Sequence, residues 1–247
     1  INARPVAPKT YASNWFEETD AISKSGAYYS VLGSDLSGGK ALQTSMPSAP
    51  GADGYNVDFA TNIKNAGEYD IYYRSNIPQE WMSKPDLFVD GVKQSGAKVT
   101  DEGWFEQLTL GWNKATVSLA KGEHTIRWTL IDSRTASTNN WIGMFDCMAI
   151  LPKDMPFAIT GGSIADTKID YELCAAAADI NLKAVTGDIV LPSETESGIE
   201  ITWTSSDPEI ISEDGKVTRG AEDKEVRLTA ATPDNYEKTF TLTVKKL

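Results

Sequence analysis

The sequence predicts an all-β protein that is built from two successive β-sandwiches. Three observations support this prediction: apolar and polar residues alternate with a period of two in many short segments, turn residues separate these segments, and a long amphipathic helix is missing. A chain of 247 residues is also long enough to bury two hydrophobic cores. We therefore predict a first domain at 1–155 and a second domain at 156–247.

The first domain contains a regular series of alternating segments. In Tyr55–Phe59 and Tyr69–Tyr73 every second residue is a large apolar side chain, which is typical of a half-buried strand. Asp90-Gly91 is a turn signal that ends a strand. The predicted strands are Tyr55–Phe59, Tyr69–Tyr73, Leu87–Val89, Trp104–Leu110, Thr116–Leu119, His124–Ile131 and Trp141–Leu151. Strands at this spacing predict a sandwich or a barrel.

The second domain combines one predicted helix with further strands. Tyr171–Asp179 is rich in alanine, which favours a helix, and Asp214-Gly215 is a hairpin turn signal. The predicted strands are Ile189–Leu191, Ile199–Thr204, Lys216–Thr218, Val226–Ala231 and Thr239–Val244. The size of this domain suits an immunoglobulin-type sandwich, although the Cys–Trp–Cys spacing of antibody domains is missing.

The charge balance is strongly acidic. The chain has 23 Lys and Arg residues against 35 Asp and Glu residues, for a net charge of -12. Nucleic acids and anionic membranes are bound mainly through clustered cations, so neither is an expected partner. No apolar run approaches the roughly 18 residues that span a bilayer, and residues 1–10 lack a signal-peptide pattern. We therefore expect an interior piece of a larger protein.

Patterns that would support catalysis are weak, and we expect a protein that is not an enzyme. Cys147 and Cys174 fall in no metal-ligand spacing, so buried free thiols are favoured, and one bridge between them stays open as an alternative. The single histidine, His124, begins a predicted strand and is interpreted as structural rather than as a general base. Carboxylate pairs arise by chance in so acidic a chain, and no nucleophile elbow, phosphate loop or HExxH motif is present.

Tryptophan is concentrated in the first domain, and only Trp203 lies in the second. The tryptophans of the first domain are Trp15, Trp81, Trp104, Trp112, Trp128 and Trp141. A sandwich core needs about two such rings, and Trp128, which lies in mid-strand, is expected to be one of them. The surplus predicts that some of the rings face a ligand.

A sugar is the ligand that these residues suit best. A pyranose needs exposed aromatic rings against its apolar faces and polar side chains for its hydroxyls. If the predicted strands alternate in direction, the loops at 33–53, 76–84, 111–113 and 133–140 emerge at the same end of the domain. The sugar-binding residues predicted from these loops are Trp81, Trp112, Arg134, Asn139, Asn140 and Trp141.

Six motifs of the first domain together resemble the calcium-containing carbohydrate-binding modules of families 6 and 35. The motifs are Phe16–Asp20, Ser37–Lys40, Gly67–Arg74, Leu87–Gly91, Val117–Ile126 and Phe145–Ile150. The resemblance implies a jelly-roll sandwich and sugar contacts at Asn140 and Trp141. It also implies one structural calcium ion, for which Glu17 and Asp146 match the ligand positions, whereas Thr19 stands where a second Glu is usual.

The second domain resembles the atrophied bacterial immunoglobulin-like repeat. The matching segments are Gly187–Pro192, Ile201–Pro208, Asp214–Thr218 and Val226–Ala230. Such repeats occur in large extracellular bacterial proteins, frequently glycoside hydrolases that act on plant polysaccharides, where they serve as spacers. The resemblance implies the same role here.

These observations lead to one preferred function and two alternatives. We expect a non-catalytic sugar-binding module with its spacer, secreted or displayed on the surface of a bacterium. It would be monomeric and would share its polypeptide with a catalytic domain that degrades polysaccharide. The alternatives are an adhesion or structural fragment that binds protein, and a β-sandwich glycosidase or lyase. A glycan array separates the first two, and release of reducing ends would indicate the third.

Overall fold

A computed structural model of the chain describes residues 14–25, 28–77, 80–105, 108–136, 139–160 and 163–247, and it describes their side chains outside 101–109. Nearly all of the regular structure in these residues is β-strand, which confirms the predicted fold class. The chain divides into two compact units. Among the described residues, the first contains those up to Lys153 together with Ser163 and Ile164, and the second contains Asp154–Thr160 and Ala165–Leu247. No helix in the described ranges is long and apolar enough to cross a membrane.

The described strands of the first unit form two antiparallel sheets. In chain order they are β1 Trp15–Phe16, β2 Ser23–Lys24, β3 Tyr28–Leu32, β4 Lys40–Met46, β5 Tyr55–Ile63, β6 Gly67–Asn76, β7 Asp86–Val89, β8 Val92–Gln94, β9 Ala97–Phe105, β10 Leu108–Leu119, β11 Gly122–Leu130 and β12 Trp141–Pro152. One described sheet has seven strands in the order β3-β4-β12-β6-β10-β9, with β1 paired to β12. The other has five described strands in the order β2-β5-β11-β7-β8.

The core of the first unit lies between these two sheets. Every second side chain of β5 and β11 points into it and meets side chains from β6, β10 and β12. Phe145 of β12 joins the two layers, because its ring centroid lies 4.9 Å from that of Phe59 and 5.9 Å from that of Trp128. Trp128 is fully buried, as its mid-strand position predicted. The unit is therefore a β-sandwich.

Two predicted segments of the first domain are wrong. Trp104–Leu110 is not one strand, because β9 ends at Phe105, β10 begins at Leu108, and these two residues pair with each other across a hairpin. The predicted loop at 33–53 contains β4, which pairs with β12. Alternation continues from the end of β9 into the start of β10, so the period alone did not reveal the break between the two strands. The side chain of Trp104 lies outside the described residues.

The predicted turn at Asp90-Gly91 is present and fixes the histidine beside it. Both residues have positive φ, 49° for Asp90 and 78° for Gly91, as a tight hairpin turn requires. The Nδ1 of His124 lies 2.6 Å from Asp90 Oδ2, and its Nε2 lies 2.8 Å from the carbonyl oxygen of Ala120. Both of these oxygens accept hydrogen bonds, so the ring donates twice and is stable as an imidazolium.

We expect the stability of the first unit to depend on the pH through His124. Burial alone would lower the pKa of His124, but its hydrogen bonds to Asp90 and Ala120 and the charge of Asp90 raise the pKa above 6.5. The stabilisation is therefore complete below about pH 6.5 and disappears as the pH rises through the folded-state pKa. At pH 6, His124→Gln should melt roughly 2 °C below the parent, and the difference should vanish at pH 9. A difference that does not change with pH would contradict this role.

The second unit consists of a helix and a small antiparallel sheet. The helix α1 spans Ile164–Ala176, and the strands are β13 Thr202–Ser205, β14 Lys224–Ala231 and β15 Glu237–Val244, paired in the order β13-β14-β15. The helix begins earlier than predicted. The strand predicted at Ile189–Leu191 is not formed, and the one at Lys216–Thr218 is reduced to an isolated bridge between Ile211 and Val217.

A buried ion pair fixes α1 against the sheet of the second unit. Asp170 of α1 is 2% exposed and accepts hydrogen bonds from the Nζ of Lys238 in β15, at 2.8 and 3.0 Å. The hydroxyl of Tyr236 and the backbone N–H of Ala158 also donate to this carboxylate. A buried charge with this many partners specifies how the helix packs. Cys174 of the same helix and Cys147 of the first unit are buried and form no disulfide bond, as favoured from the sequence.

Candidate functional site

Two loops of the first unit carry four of the predicted sugar-binding residues, namely Trp81, Arg134, Asn139 and Asn140. The tryptophan loop, residues 77–85, connects β6 to β7, and the arginine loop, residues 131–140, connects β11 to β12. Both belong to the loops that the sequence placed at one end of the domain. The structure brings their described residues into direct contact, because the backbone N–H of Ala136 donates to the carbonyl oxygen of Glu80 at 2.8 Å.

A buried apolar side chain anchors the tryptophan loop. Met82 is 3% exposed and packs on the face of the seven-stranded sheet that lies opposite the main core. The buried residues that form this second cluster are Leu36, Ala41, Met82, Leu110 and Met144. Ser83 then continues the attachment to β12, since its N–H donates to the carbonyl oxygen of Ile142 at 2.9 Å and its hydroxyl accepts the Ile142 N–H at 3.2 Å.

Asn76, at the end of β6, ties the tryptophan loop to β12 through its side chain. The amide is fully buried; its Nδ2 donates to the carbonyl oxygen of Ser83, and its Oδ1 accepts the N–H of Met144, both at 2.9 Å. A buried amide that is satisfied on both sides holds its partners in a fixed geometry. The tryptophan loop is therefore fixed at the residues that follow Trp81.

The arginine loop is closed by bonds between its own ends. The N–H of Arg134 donates to the carbonyl oxygen of Asn140 at 3.0 Å, and the indole Nε1 of Trp141 donates to the carbonyl oxygen of Ile131 at 3.0 Å. Thr135 adds a weaker contact, since its hydroxyl lies 3.4 Å from the carbonyl oxygen of Glu80. The two loops thus form one surface on the first unit.

An aromatic ring and two unsatisfied polar atoms meet on this surface. Trp81 is 60% exposed, and the guanidinium of Arg134 lies 5.8 Å from its ring centroid in a cation–π contact. Arg134 Nε and Asn140 Oδ1 are hidden from solvent and have no hydrogen-bond partner in the described part of the chain. Asn139, the residue before Asn140, is exposed. Such groups are rare in folded proteins because desolvation without a partner costs free energy.

Trp112 does not belong to this surface, and its assignment to the site is wrong. It is fully buried, and its ring centroid lies 6.0 Å from that of Trp15. The predicted loop at 111–113 is the middle of β10, where Trp112 pairs with Arg74 of β6 and with Thr100 of β9. A ring with no exposed surface cannot stack on a ligand.

Trp141 is also a core residue rather than a stacking platform. It is 6% exposed, and its ring packs edge-to-face against Tyr55 with the centroids 6.3 Å apart. It begins β12 on the same face as Phe145, which points into the main core. Of the predicted sugar-binding residues, the structure therefore brings together Trp81, Arg134, Asn139 and Asn140, while Trp112 and Trp141 support the fold.

The two predicted metal ligands lie close together, but the donor set does not fit calcium. Glu17 Oε1 accepts the hydroxyl of Ser37 at 2.7 Å, and Asp146 Oδ1 accepts the N–H of the same residue at 2.9 Å. Asp146 Oδ2 accepts a bond from Arg74, so a cation is already present. Calcium takes six to eight oxygen ligands, and within the described residues no group of three or more acidic, His or Cys side chains could hold a metal.

The environment of Asp146 is dominated by burial. The residue has no exposed surface, and burial raises the pKa of its carboxyl to about 6, although the charge and hydrogen bond of Arg74 act to lower it. The carboxylate is thus stabilised mainly by the guanidinium and by the Ser37 N–H. Thr19, which stands where the resemblance implies a second Glu, is exposed.

Comparison with known proteins adds a family match for part of the chain and several structural neighbours. The profile of the family described as "Atrophied bacterial Ig domain" matches residues 165–247. No curated protein sequence matches the chain. Similar solved structures include three family 35 carbohydrate-binding modules, which come from Clostridium thermocellum, Cellvibrio japonicus and an environmental isolate.

The three modules are distant from this chain in sequence. The Clostridium thermocellum module is 17% identical with a TM-score of 0.37, and the match covers 56% of this chain and 97% of the module. The Cellvibrio japonicus module is 13% identical with a TM-score of 0.39, and the match covers 56% of this chain and 92% of the module. The module of the environmental isolate is 14% identical with a TM-score of 0.42, and the match covers 60% of this chain and 97% of the module. A likeness at this level does not assign a ligand to the chain, so a function has to rest on the geometry of the two loops.

Proposed function

We propose that the first unit binds a carbohydrate on the surface formed by Trp81, Arg134, Asn139 and Asn140, and that it has no catalytic role. The observation that supports this proposal is the exposed ring of Trp81 on a loop that Met82, Ser83 and Asn76 hold in place. An exposed ring next to residues that are held in place can stack on the apolar face of a pyranose at a reduced ordering cost.

The polar atoms beside the ring suit the hydroxyl rim of a sugar. Arg134 Nε is a donor and Asn140 Oδ1 is an acceptor, and both lack a partner in the described residues. A ligand that stacks on Trp81 and reaches these atoms would satisfy one donor and one acceptor at once. A sugar carries hydroxyls that both donate and accept, whereas a purely apolar ligand would leave both atoms unsatisfied.

The overall charge favours a neutral sugar. The net charge of -12 gives no general attraction for an acidic polysaccharide. A neutral plant polysaccharide, or an oligosaccharide derived from it, is therefore the proposed ligand class. Arg134 could pair with a single uronate residue within such a chain.

The second unit is proposed to act as a spacer. Its single tryptophan, Trp203, is 6% exposed, and among its described residues the exposed large apolar side chains are Val190 and Leu247, so no aromatic platform is offered there. We propose that both units belong to a larger bacterial enzyme that is secreted or displayed at the cell surface and degrades polysaccharide. They would act as a monomeric accessory segment, with the catalytic domain on the same polypeptide.

Binding to a glycan array, followed by titration of the best soluble ligand, tests the sugar site. We expect Trp81→Ala to weaken binding by roughly 10- to 100-fold, because the loss of a stacking ring costs about 1.4 to 3 kcal/mol. Tyr29→Ala is the matched control, since Tyr29 is another exposed aromatic residue of the first unit, at 49%, and lies in β3.

Three results would contradict the proposal. A folded Trp81→Ala protein that binds as tightly as the parent would place the site elsewhere. An array with no sugar ligand, together with capture of a protein partner that Trp81→Ala abolishes, would favour an adhesion function. Release of reducing ends from a polysaccharide would instead indicate a glycosidase or lyase.

A further inference from the structure

A buried arginine connects distant segments of the first unit. Arg74 of β6 has a side chain that is 8% exposed, and its Nη1 donates both to Asp146 Oδ2 of β12 and, at 2.8 Å, to the carbonyl oxygen of Asp35. Asp146 Oδ1 in turn accepts the N–H of Ser37. The guanidinium therefore joins two strands of the seven-stranded sheet to the segment 33–39, which we name the glycine loop.

The same glycine loop is attached to the first strand. The hydroxyl of Ser37 donates to Glu17 Oε1, and the indole Nε1 of Trp15 lies 3.1 Å from Ser37 Oγ and 3.2 Å from Glu17 Oε1. Gly38 has a φ of +60°, and a Cβ at this position would lie 2.4 Å from Glu17 Oε2. The close approach of the Glu17 carboxylate thus requires glycine at position 38.

The positive charge beside the Asp146 carboxylate comes from the side chain of Arg74. The guanidinium of Arg74 neutralises Asp146, and one Asp146 oxygen is already bonded to Arg74 while the other is bonded to Ser37. A divalent ion at Glu17 and Asp146 would have to compete with a fixed, always charged guanidinium for the same carboxylate. Within the described residues, no group of three or more acidic, His or Cys side chains is present there to hold such an ion.

We infer that Arg74 supplies the cation that holds β1, the glycine loop and β12 together, and that the first unit folds without a metal ion at Glu17 and Asp146. A guanidinium suits this role because it donates several hydrogen bonds from one rigid plane, here to a carboxylate and to a backbone carbonyl. The inference concerns the stability of the sandwich and does not depend on the proposed sugar site.

Thermal melting of the whole chain, followed by tryptophan fluorescence, tests the first half of the inference. All tryptophans except Trp203 lie in the first unit, so the signal reports mainly on that unit. Arg74→Gln should lower the melting temperature by about 10 °C, because it leaves the Asp146 carboxylate buried without its charge partner. Arg127→Gln is the matched control: that arginine pairs with Asp58 but is 30% exposed, and a loss of about 2 °C is expected.

A double variant distinguishes loss of the ion pair from general damage at Arg74. Arg74→Gln combined with Asp146→Asn removes both charges, so it should melt above Arg74→Gln alone. A double variant that melts no higher than Arg74→Gln, or an Arg74→Gln protein that melts with the parent, would overturn the inference.

Chelation tests the second half of the inference, that the first unit folds without a metal ion at Glu17 and Asp146. It needs no variant, so it gives a result even if Arg74→Gln does not fold. EDTA should leave the melting temperature of the parent unchanged within about 1 °C, and calcium chloride should not raise it. Elemental analysis of the purified protein should find no stoichiometric calcium. A fall of several degrees in EDTA, or one calcium ion per chain, would overturn the inference and restore the metal site at Glu17 and Asp146.

Discussion

Trp203→Ala will unfold the second unit at temperatures where the parent is folded and leave the proposed sugar binding by the first unit intact. Trp203 is 6% exposed, its ring centroid lies 5.8 Å from that of Phe240, and its Nε1 donates to the carbonyl oxygen of Pro192 at 2.7 Å. Removing a buried ring of this size costs about 4 kcal/mol. A small domain has only about 5 to 15 kcal/mol of stability, so the loss is large.

Calorimetry and limited proteolysis of the full chain measure this effect. The matched control is Thr204→Ala, which changes the next residue of β13, whose side chain is exposed, and should shift the melting of the second unit little. Binding is then titrated with the ligand found on the array. If the Trp203→Ala protein retained a folded first unit but lost sugar binding, the second unit would be part of the site and not a spacer.

Asn76→Ala will destabilise the first unit and weaken the proposed sugar binding, although Asn76 does not reach the surface. The change leaves the carbonyl oxygen of Ser83 and the N–H of Met144 buried without their side-chain partner. Each lost partner costs about 1 to 3 kcal/mol, so we expect a loss near 3 kcal/mol in the free energy of unfolding. The tryptophan loop is then free to move, and binding pays the cost of ordering Trp81 again, for an expected loss of about tenfold.

Denaturant unfolding and sugar titration of the folded variant measure these two effects separately. Ser75→Ala is the control at the neighbouring position, because Ser75 is equally buried but its hydroxyl makes only a long contact of 3.5 Å with the Asn76 carbonyl oxygen. It should retain the affinity of the parent. Unchanged affinity in Asn76→Ala would mean that the position of Trp81 does not depend on this amide.

The alternation of apolar residues predicted much of the fold correctly. Tyr55–Phe59 and Tyr69–Tyr73 lie within β5 and β6, and the strand that begins at His124 is β11. Period-two alternation is a property of each strand by itself, so it can be recognised in the sequence without knowing which strands are neighbours. It could not identify β3 and β4. The first lies at the edge of its sheet, and the second buries residues on both of its faces, so neither shows a strict alternation.

The position of the two loops was predicted in part, for a related reason. Trp81 and Arg134 lie in irregular segments between strong strand patterns, and these are the positions that remain at the surface. Asn76 and Met82, which hold the tryptophan loop, were missed. Asn76 is a polar residue that continues the β6 pattern, and Met82 is an apolar residue within the loop. Neither feature of the sequence indicates which residue of β12 the side chain contacts.

The sequence by itself determined the all-β class, the order of the main strands, and the loops that carry Trp81, Arg134 and Asn140. Only the tertiary structure decided which tryptophans are covered. Trp112 and Trp81 are the same side chain near the same predicted end of the domain, yet the first has no exposed surface and the second is 60% exposed. A strand pattern specifies which residues share a face, whereas burial of that face depends on segments far along the chain. Here Trp15 packs against Trp112, whereas Trp81 contacts the guanidinium of Arg134 and still keeps most of its surface exposed.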